Sequence, residues 1–279
     1  MTDIKSYIKL SRPVNVFLGI VSVIITAAFF TPFPPILRIL GAMAVVSFMT
    51  AGGNAVNDYY DIDIDRINKP DRPLPAGLIT RDGALGFAVT VFVLANILSL
   101  MLGFGPFVVS GIIAAPLLYF YARSLKSTPV IGNIIVSLIL GLTFIYAAVV
   151  FGNMSLGYMP AVLAFFFNLI REIVKDIEDM DGDREQDART LPVMIGENPA
   201  RVIAGMLALV MLPIIPLPFI LGIYGKWYFF VSGIGCGLPV IIIMVKLLNI
   251  SRPVDYTQLS AILKYDIAIG LIAILLGNL

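Results

Sequence analysis

ILRILGAMAVVSFMTAGGNAVNDYYDIDIDR, residues 36–66, begins as a run of apolar and small residues and ends in four aspartates and an arginine. The apolar part, near 36–57, matches the roughly 20 residues that one helix needs to cross the hydrocarbon core of a bilayer. If the helix continues, at about 100° per residue, Asn57, Asp58, Asp61 and Asp65 fall at about 0°, 100°, 40° and 80°. They share one face, while Asp63 points away. Such a stripe is costly at the end of a spanning helix. Each aspartate at mid-membrane costs about 2.5–3.5 kcal/mol on insertion scales, and like charges at three- and four-residue spacing repel. The stripe therefore needs a compensating cation or an aqueous cavity.

The rest of the chain repeats the apolar theme. Of 279 residues, 59% are hydrophobic and 13% charged, and the mean hydropathy is +0.95. Soluble domains carry about twice that share of charge. Apolar runs lie near 14–30, 36–57, 84–102, 106–121, 130–151, 156–170, 199–224, 227–248 and 258–278. The sixth is short, and its helix is expected to continue into the charged stretch after it. Residues 1–279 thus read as a single polytopic, all-α membrane domain of nine transmembrane helices. The first run is expected to be retained rather than cleaved as a signal, since eight further spans follow. Around it, Ile4, Tyr7 and Ile8 oppose Lys5 and Lys9, a pattern for a short helix on the membrane interface. Pro213, Pro216 and Pro218 are expected to kink or break the seventh span. Tyr224, Trp227 and Tyr228 read as an interfacial aromatic belt.

Charge placement orients the chain. Of the 19 lysines and arginines, 17 fall before the first run or in the loops and flanks after the even-numbered ones; only Arg38 and Lys226 lie on the other side. The positive-inside rule then puts the N-terminus in the cytoplasm and the C-terminus outside. All 18 acids are also assigned to the cytoplasmic side or to helix ends there, which that rule does not require. A net charge of +1 gives no footing for a nucleic-acid partner, and nothing in the sequence specifies an oligomeric state. Histidine is absent, which removes histidine–zinc sites, histidine-ligated haem and histidine general bases. The single cysteine, Cys236, excludes an intrachain disulfide and reads as a buried thiol.

A second acidic stripe lies beyond the sixth run, in Lys175-Asp176-Ile177-Glu178-Asp179-Met180-Asp181-Gly182-Asp183-Arg184. Asp176, Asp179 and Asp183 fall within about 60° of one another, with Glu178 and Asp181 facing elsewhere. Solvated loop charges account for Asp63, Glu178, Asp181, Glu185 and Asp187, and account poorly for the two stripes. A divalent cation between the helices would relieve both repulsion and burial. Ligands that are all oxygen favour a hard ion, and Mg²⁺ is the one commonly shared with a substrate's phosphates. The two stripes lead into similar loops: Asp71-Arg72-Pro73-Leu74-Pro75 after the first, Ala188-Arg189-Thr190-Leu191-Pro192 after the second. Arginines facing metal-binding carboxylates suit a diphosphate, whose oxygens bridge the metal and accept paired N–H bonds. Between the stripes, Tyr121-Ala122-Arg123-Ser124-Leu125-Lys126 ends the fourth run, and Lys126 is a candidate phosphate ligand.

At these residues the sequence resembles the UbiA family of intramembrane prenyltransferases. The family pattern is N-D-x-x-D-x-x-x-D, an arginine-proline loop, then D-x-x-D-x-E-G-D. Here it is carried by Asn57, Asp58, Asp61 and Asp65, by Arg72-Pro73, and by Asp176, Asp179, Gly182 and Asp183. Asp181 stands where glutamate is usual. Arg12-Pro13 with Asn15, and Tyr121 with Lys126, also resemble family positions. The resemblance runs through all nine spans. It implies one nine-helix bundle with a cytoplasm-facing cavity, two Mg²⁺ ions and a prenyl diphosphate donor. The segment from Asn57 to Leu78 and the Lys175–Asp179 run are most similar to the archaeal branch that makes digeranylgeranylglyceryl phosphate. That similarity implies transfer of a geranylgeranyl group from geranylgeranyl diphosphate to the lipid-like acceptor geranylgeranylglyceryl phosphate in ether-lipid synthesis. An aromatic acceptor such as 4-hydroxybenzoate or a naphthoate is the alternative.

On this expectation Asp61, Asp65, Asp179 and Asp183 are catalytic metal ligands, with Asn57, Asp58 and Asp176 supporting them. Arg72, Lys126 and Arg189 meet the departing diphosphate, and Arg12, Asn15, Lys69, Tyr121 and Arg123 complete the substrate-binding set. The proton from the acceptor goes to an aspartate or to the diphosphate. A cation transporter is the rival of another class. It fits less well because transporters place coupling charges near the midplane at broken helices, whereas the acids here are assigned to one surface.

Overall fold

The computed structural model describes residues 4–185 and 188–277, and among these its regular elements are all helices, with no strand. Asp187 and the chain end at Leu279 lie outside the described residues. The chain opens with α1 (Ile4–Leu10) and α2 (Pro13–Ala27), bent by 62° at the intervening break. Next come α3 (Ile36–Tyr60), a short α4 (Ile62–Asn68), α5 (Arg81–Leu102) and α6 (Phe104–Leu125). They are followed by α7 (Ile131–Phe151) and α8 (Ser155–Glu178), then the short α9 (Met180–Glu185) and α10 (Leu191–Ile195). Last are α11 (Glu197–Ile220), α12 (Lys226–Leu248) and α13 (Tyr256–Gly277). Eight of these are long and apolar enough to cross a membrane, and a ninth arises if α1 and α2 count as one bent span. The apolar runs therefore mark the spans to within a few residues. The sixth extends into the charged stretch as expected, reaching Glu178.

The residues gather into two compact units. One comprises Met1–Lys126 and Leu142–Gly157, the other Ser127–Gly141 and Tyr158–Leu279.

In the first unit α3 lies against α5 and α6. Its Gly52 and Gly53 allow this: a Cβ on Gly52 would sit 2.8 Å from the Phe92 ring, and one on Gly53 2.7 Å from Leu118. Without a hydrophobic drive between helices in lipid, such close backbone approach supplies the packing energy. Val45, Met49, Ala95, Val109 and Tyr146 fill the mid-depth core, where the Tyr146 and Ser99 hydroxyls are 3.2 Å apart. A second core of Leu10, Val56, Leu74, Ile79 and Ala84 lies at the aspartate end of α3 and ties α1 and the arginine loop to it. In α1 the buried residues are Ser6 and Leu10, and Tyr7 lies with its ring 5.3 Å from Phe87. Ile4 and Ile8 are left exposed. At the other end of the unit, Arg38 donates to the Val150 carbonyl at 2.8 Å, satisfying an open acceptor at the end of α7.

In the second unit α11 packs on α12, and α12 on α13. The expected break in the seventh span falls at Ile215–Pro216, where regular helix stops before resuming at Leu217. Two expectations are corrected here. Tyr224 and Tyr228 are buried, with rings 4.9 Å apart, and Tyr228 donates its hydroxyl to the Ile215 carbonyl at 2.6 Å. Of the three aromatics, only Trp227 is exposed. The carbonyl freed at the proline break gives the Tyr228 hydroxyl a partner in the interior, so the ring serves the core instead of a belt. Asp266, assigned with the other acids to a helix end, is buried halfway along α13, and its Oδ2 has no hydrogen-bond partner among the described residues. Cys236 is buried as expected, and its thiol donates to the Asp266 carbonyl at 3.5 Å.

Candidate functional site

The first stripe forms without a continuous helix. α3 stops at Tyr60, Asp61 adopts φ −87° and ψ 3°, and α4 resumes at Ile62. Four-residue hydrogen bonds meet at Asp61 from both sides: Asp61 N to Asn57 O (2.9 Å) before it, and Asp65 N to Asp61 O (2.8 Å) and Lys69 N to Asp65 O (2.8 Å) after it. The helical phase is kept, and the stripe with it. Asp58, Asp61 and Asp65 are 2%, 7% and 3% exposed, whereas the Asp63 side chain is 77% exposed and pairs with Arg66.

Each buried carboxylate meets a base from outside the stripe, two of them from far along the chain. Arg12 Nη2 donates to Asp58 Oδ1 at 2.5 Å. Arg72 Nη1 bridges Asp58 Oδ1 at 3.2 Å and Asp65 Oδ2 at 2.5 Å. Lys126 Nζ pairs with Asp61 Oδ2, which also accepts from Asn57 Nδ2 at 2.8 Å. Three cations thus match three anions, in the alternating chain Arg12–Asp58–Arg72–Asp65 and the separate pair Lys126–Asp61, which lowers the cost of burying the carboxylates.

Local structure explains why these bases arrive. Leu74 and Ile79 anchor the arginine loop in the core at this end, and Lys9 Nζ donates to the Asp71 carbonyl at 2.6 Å. Asn54 Nδ2 holds the Ser11 carbonyl at 2.9 Å, and Arg12 next to it has φ 51°, a left-handed conformation uncommon for a residue with a Cβ. That elbow between α1 and α2 directs Arg12 at Asp58. Lys126 follows a π-helical turn, Tyr121–Leu125, closed by Lys126 N to Tyr121 O at 3.0 Å.

The second stripe is more open. Asp179 and Asp183 continue the four-residue pattern after Lys175 through backbone bonds of 2.9 Å each. The Asp179 side chain is 54% exposed, with Lys175 Nζ 3.7 Å away, and Asp183 Oδ2 accepts from Thr190 Oγ1 at 2.9 Å. Asp176 Oδ2 accepts from Asn133 Nδ2 at 2.8 Å. Asp181 is exposed, as its phase required.

Of the other expected substrate residues, Asn15, Lys69 and Arg189 are exposed, and Tyr121 is half-buried in the π turn. Arg123 donates to the Tyr119 hydroxyl at 3.2 Å, and the Tyr60 hydroxyl lies 3.2 Å from the same oxygen. Tyr59 packs edge-on to Tyr60, and the Arg81 guanidinium lies 4.5 Å from the Tyr59 ring centre. Tyr60, Tyr119, Arg81 and Asn133 were not singled out from the sequence. The aromatic pair carries a signal there, since Tyr59-Tyr60 and Tyr119-Phe120 each abut a charged motif.

The donor set suits a hard divalent ion. Every side-chain ligand on offer is oxygen, and among the described residues no three acids gather into a cage. Mg²⁺ does not ask for one: it is held by one or two carboxylates, with waters and substrate phosphates completing an octahedron.

Known proteins resemble this chain along most of its length. The model of the UbiA prenyltransferase family matches residues 16–260. A digeranylgeranylglyceryl phosphate synthase from Pyrococcus horikoshii is 36% identical over 281 residues, covering 99% of this chain and 98% of the relative. The synthase of that name from Sulfolobus acidocaldarius is 37% identical over 286 residues, covering 99% of each. A solved structure concerned with digeranylgeranylglyceryl phosphate synthase in membranes superposes with a TM-score of 0.81 at 34% identity, covering 100% of this chain and 99% of that one. A UbiA homologue from Archaeoglobus fulgidus, solved with GPP and Mg²⁺, shares the fold at a TM-score of 0.63 and 18% identity, covering 96% of this chain and 99% of that one.

Proposed function

Because this chain belongs to the UbiA prenyltransferase family, and is a multi-pass membrane prenyltransferase, we propose that it transfers a geranylgeranyl group from geranylgeranyl diphosphate to geranylgeranylglyceryl phosphate. The products are digeranylgeranylglyceryl phosphate, diphosphate and a proton. The observation that carries the acceptor is the end-to-end similarity to archaeal synthases of that product. Residues 1–279 act as one catalytic domain, with the site open to the cytoplasm.

In this reading Asp61, Asp65, Asp179 and Asp183 would hold Mg²⁺, with Asn57, Asp58 and Asp176 in support. Bound there, Mg²⁺ supplies the Lewis-acid charge that makes diphosphate a leaving group. The chain's own residues do the rest. Arg72 and Lys126 hold Asp65 and Asp61 through N–H donors. With those carboxylates serving as ligands, the same donors would turn to diphosphate oxygens. Arg189 adds to that set. As the C1–O bond of the donor breaks, the faces of Tyr59, Tyr60 and Tyr119 stabilise the allylic cation. The acceptor's secondary hydroxyl then bonds to C1 and releases its proton to an aspartate or to the diphosphate. Arg12, Asn15, Lys69, Tyr121 and Arg123 serve substrate binding, the basic ones through phosphate.

The test is competition. Purified protein, geranylgeranyl diphosphate and Mg²⁺ are mixed with equal geranylgeranylglyceryl phosphate and 4-hydroxybenzoate, and products are read by mass spectrometry. Prenylation of the glycerol hydroxyl is expected. Preferential prenylation of the aromatic ring would sink the lipid assignment and leave the reaction class standing.

A further inference from the structure

Asp176 differs from the aspartates of the first stripe in what holds it. Asp58, Asp61 and Asp65 each face a cation, whereas among the described residues no basic side chain pairs with Asp176. Its Oδ2 is held by the side-chain amide of Asn133 at 2.8 Å. Asn133 is 7% exposed in the first turn of α7 and belongs to none of the charged motifs.

The surrounding structure fixes Asn133. Just before α7, Val130 has φ 65°, a conformation that strains a β-branched residue, and such outliers persist only where their surroundings enforce them. Helical hydrogen bonding starts there: Gly132 N reaches Thr128 O at 3.1 Å and Ile134 N reaches Val130 O at 2.9 Å. One turn on, Ser137, fully buried, donates to the Asn133 carbonyl at 2.6 Å. Asn168 of α8, also buried, donates to the Ser137 hydroxyl at 3.2 Å. The strained helix start sets the Asn133 backbone, and the polar ladder behind it ties α7 to α8 without touching the side-chain amide that meets Asp176.

Chemistry gives the arrangement its meaning. An amide N–H fixes a carboxylate's rotamer by occupying one oxygen, yet brings no positive charge to compete with a metal ion. Arginine or lysine in its place would neutralise Asp176 and raise the cost of binding a cation. We infer that Asn133 is a positioning residue that orients the Asp176 carboxylate toward the Mg²⁺ site of the second stripe. This rests on the reading of Asp176 as part of that site.

The experiment uses the full-length protein in detergent, with Mn²⁺ as a spin probe titrated in the presence of inorganic diphosphate and bound ion read by electron paramagnetic resonance. Partners that orient metal ligands are worth about 10–100-fold in affinity. Asn133→Leu is expected to weaken Mn²⁺ binding by at least about tenfold on that scale. Asp176→Asn is expected to weaken it too, and the double variant to be no worse than Asp176→Asn alone. Asn133→Gln, which keeps the amide, should recover part of the loss. Ser137→Ala breaks the same ladder without touching the Asp176 hydrogen bond, so it should lower thermal stability and leave Mn²⁺ affinity unchanged. Should Asn133→Leu not accumulate as folded protein, Asn133→Ser carries the same expectation. Wild-type affinity in Asn133→Leu beside weakened binding in Asp176→Asn would overturn the positioning role alone, as would equal losses in Asn133→Leu and Ser137→Ala. Wild-type affinity in Asp176→Asn would overturn the reading of Asp176 itself, and the inference with it.

Discussion

Replacing Arg72 by methionine tests how the buried charges are held. Arg72 sits 2.5 Å from Asp65 and 3.2 Å from Asp58, with the two carboxylates 5% and 2% exposed and the guanidinium-bearing side chain 21% exposed. Asp58 keeps Arg12 in the variant, so the substitution strands one carboxylate, Asp65. Removing one member of a buried pair costs about 3–5 kcal/mol, and the partial exposure of Arg72 puts this case near the bottom of that range, about 3 kcal/mol. At about 2–4 °C per kcal/mol for chains of 150–250 residues, the midpoint of thermal unfolding should fall by about 6–12 °C. The measurement is loss of helical circular dichroism in detergent without added divalent ion. Arg66→Met is the control, since the Arg66–Asp63 pair is 62% and 77% exposed. Such a pair is worth at most about 1 kcal/mol. The double variant Asp65→Leu/Arg72→Met should recover most of the loss, because an apolar pair of similar bulk leaves no buried charge. If Arg72→Met melts within about 2 °C of Arg66→Met, the alternating anion–cation cluster is not what holds this end of the chain, and the argument from burial fails.

Chelation should abolish prenyl transfer and Mg²⁺ should restore it; Asp61→Asn and Asp179→Asn should each remove turnover in folded protein, while Asp63→Asn, on the exposed face, should retain it, and full activity in Asp61→Asn would remove the site as drawn. Asp266→Leu should melt at or slightly above the wild-type temperature, because it deletes a buried oxygen with no partner; a fall of several degrees would mean that the carboxylate has one. Topology reporters should read as cytoplasmic at the N-terminus and external after Leu279, and finding both on one side would overturn the orientation drawn from the basic residues.

Hydropathy made the spans legible, because a length near 20 apolar residues leaves few alternatives, and helical phase foretold that Asp63 would face out while its neighbours turned in. The partners of those neighbours were beyond reach. Arg12 and Lys126 lie 46 and 65 residues from the aspartates they meet, and only tertiary structure brings them together. Phase also survives a break it did not anticipate, at Asp61, which keeps an i to i−4 hydrogen bond on each side. Asn133 was invisible for another reason: a lone uncharged asparagine inside the apolar run 130–151 matches no motif and breaks no hydropathy pattern. Asp266 was misplaced because acids elsewhere in the chain border apolar runs, so the one inside a run was assigned with them. Tyr224 and Tyr228 were misread because composition alone cannot tell an interfacial ring from one whose hydroxyl finds a carbonyl in the interior.

The π turn before Lys126 bears on how the chain tolerates changes in length. An α-helix that gains one residue normally rotates everything after it by about 100°, turning each side chain to a new neighbour. A π turn takes up one extra residue locally and leaves the phase on either side intact. The bond from Lys126 N to Tyr121 O spans five residues where four is the rule, so the ammonium still faces Asp61. Deleting any one residue of Ala122–Leu125 would leave a plain α-turn, with the lysine facing the same way. Gaps between related sequences can therefore fall inside α6 and α12, where Val108–Ala114, Tyr121–Leu125 and Gly233–Gly237 are all π-helical, and not only in the loops.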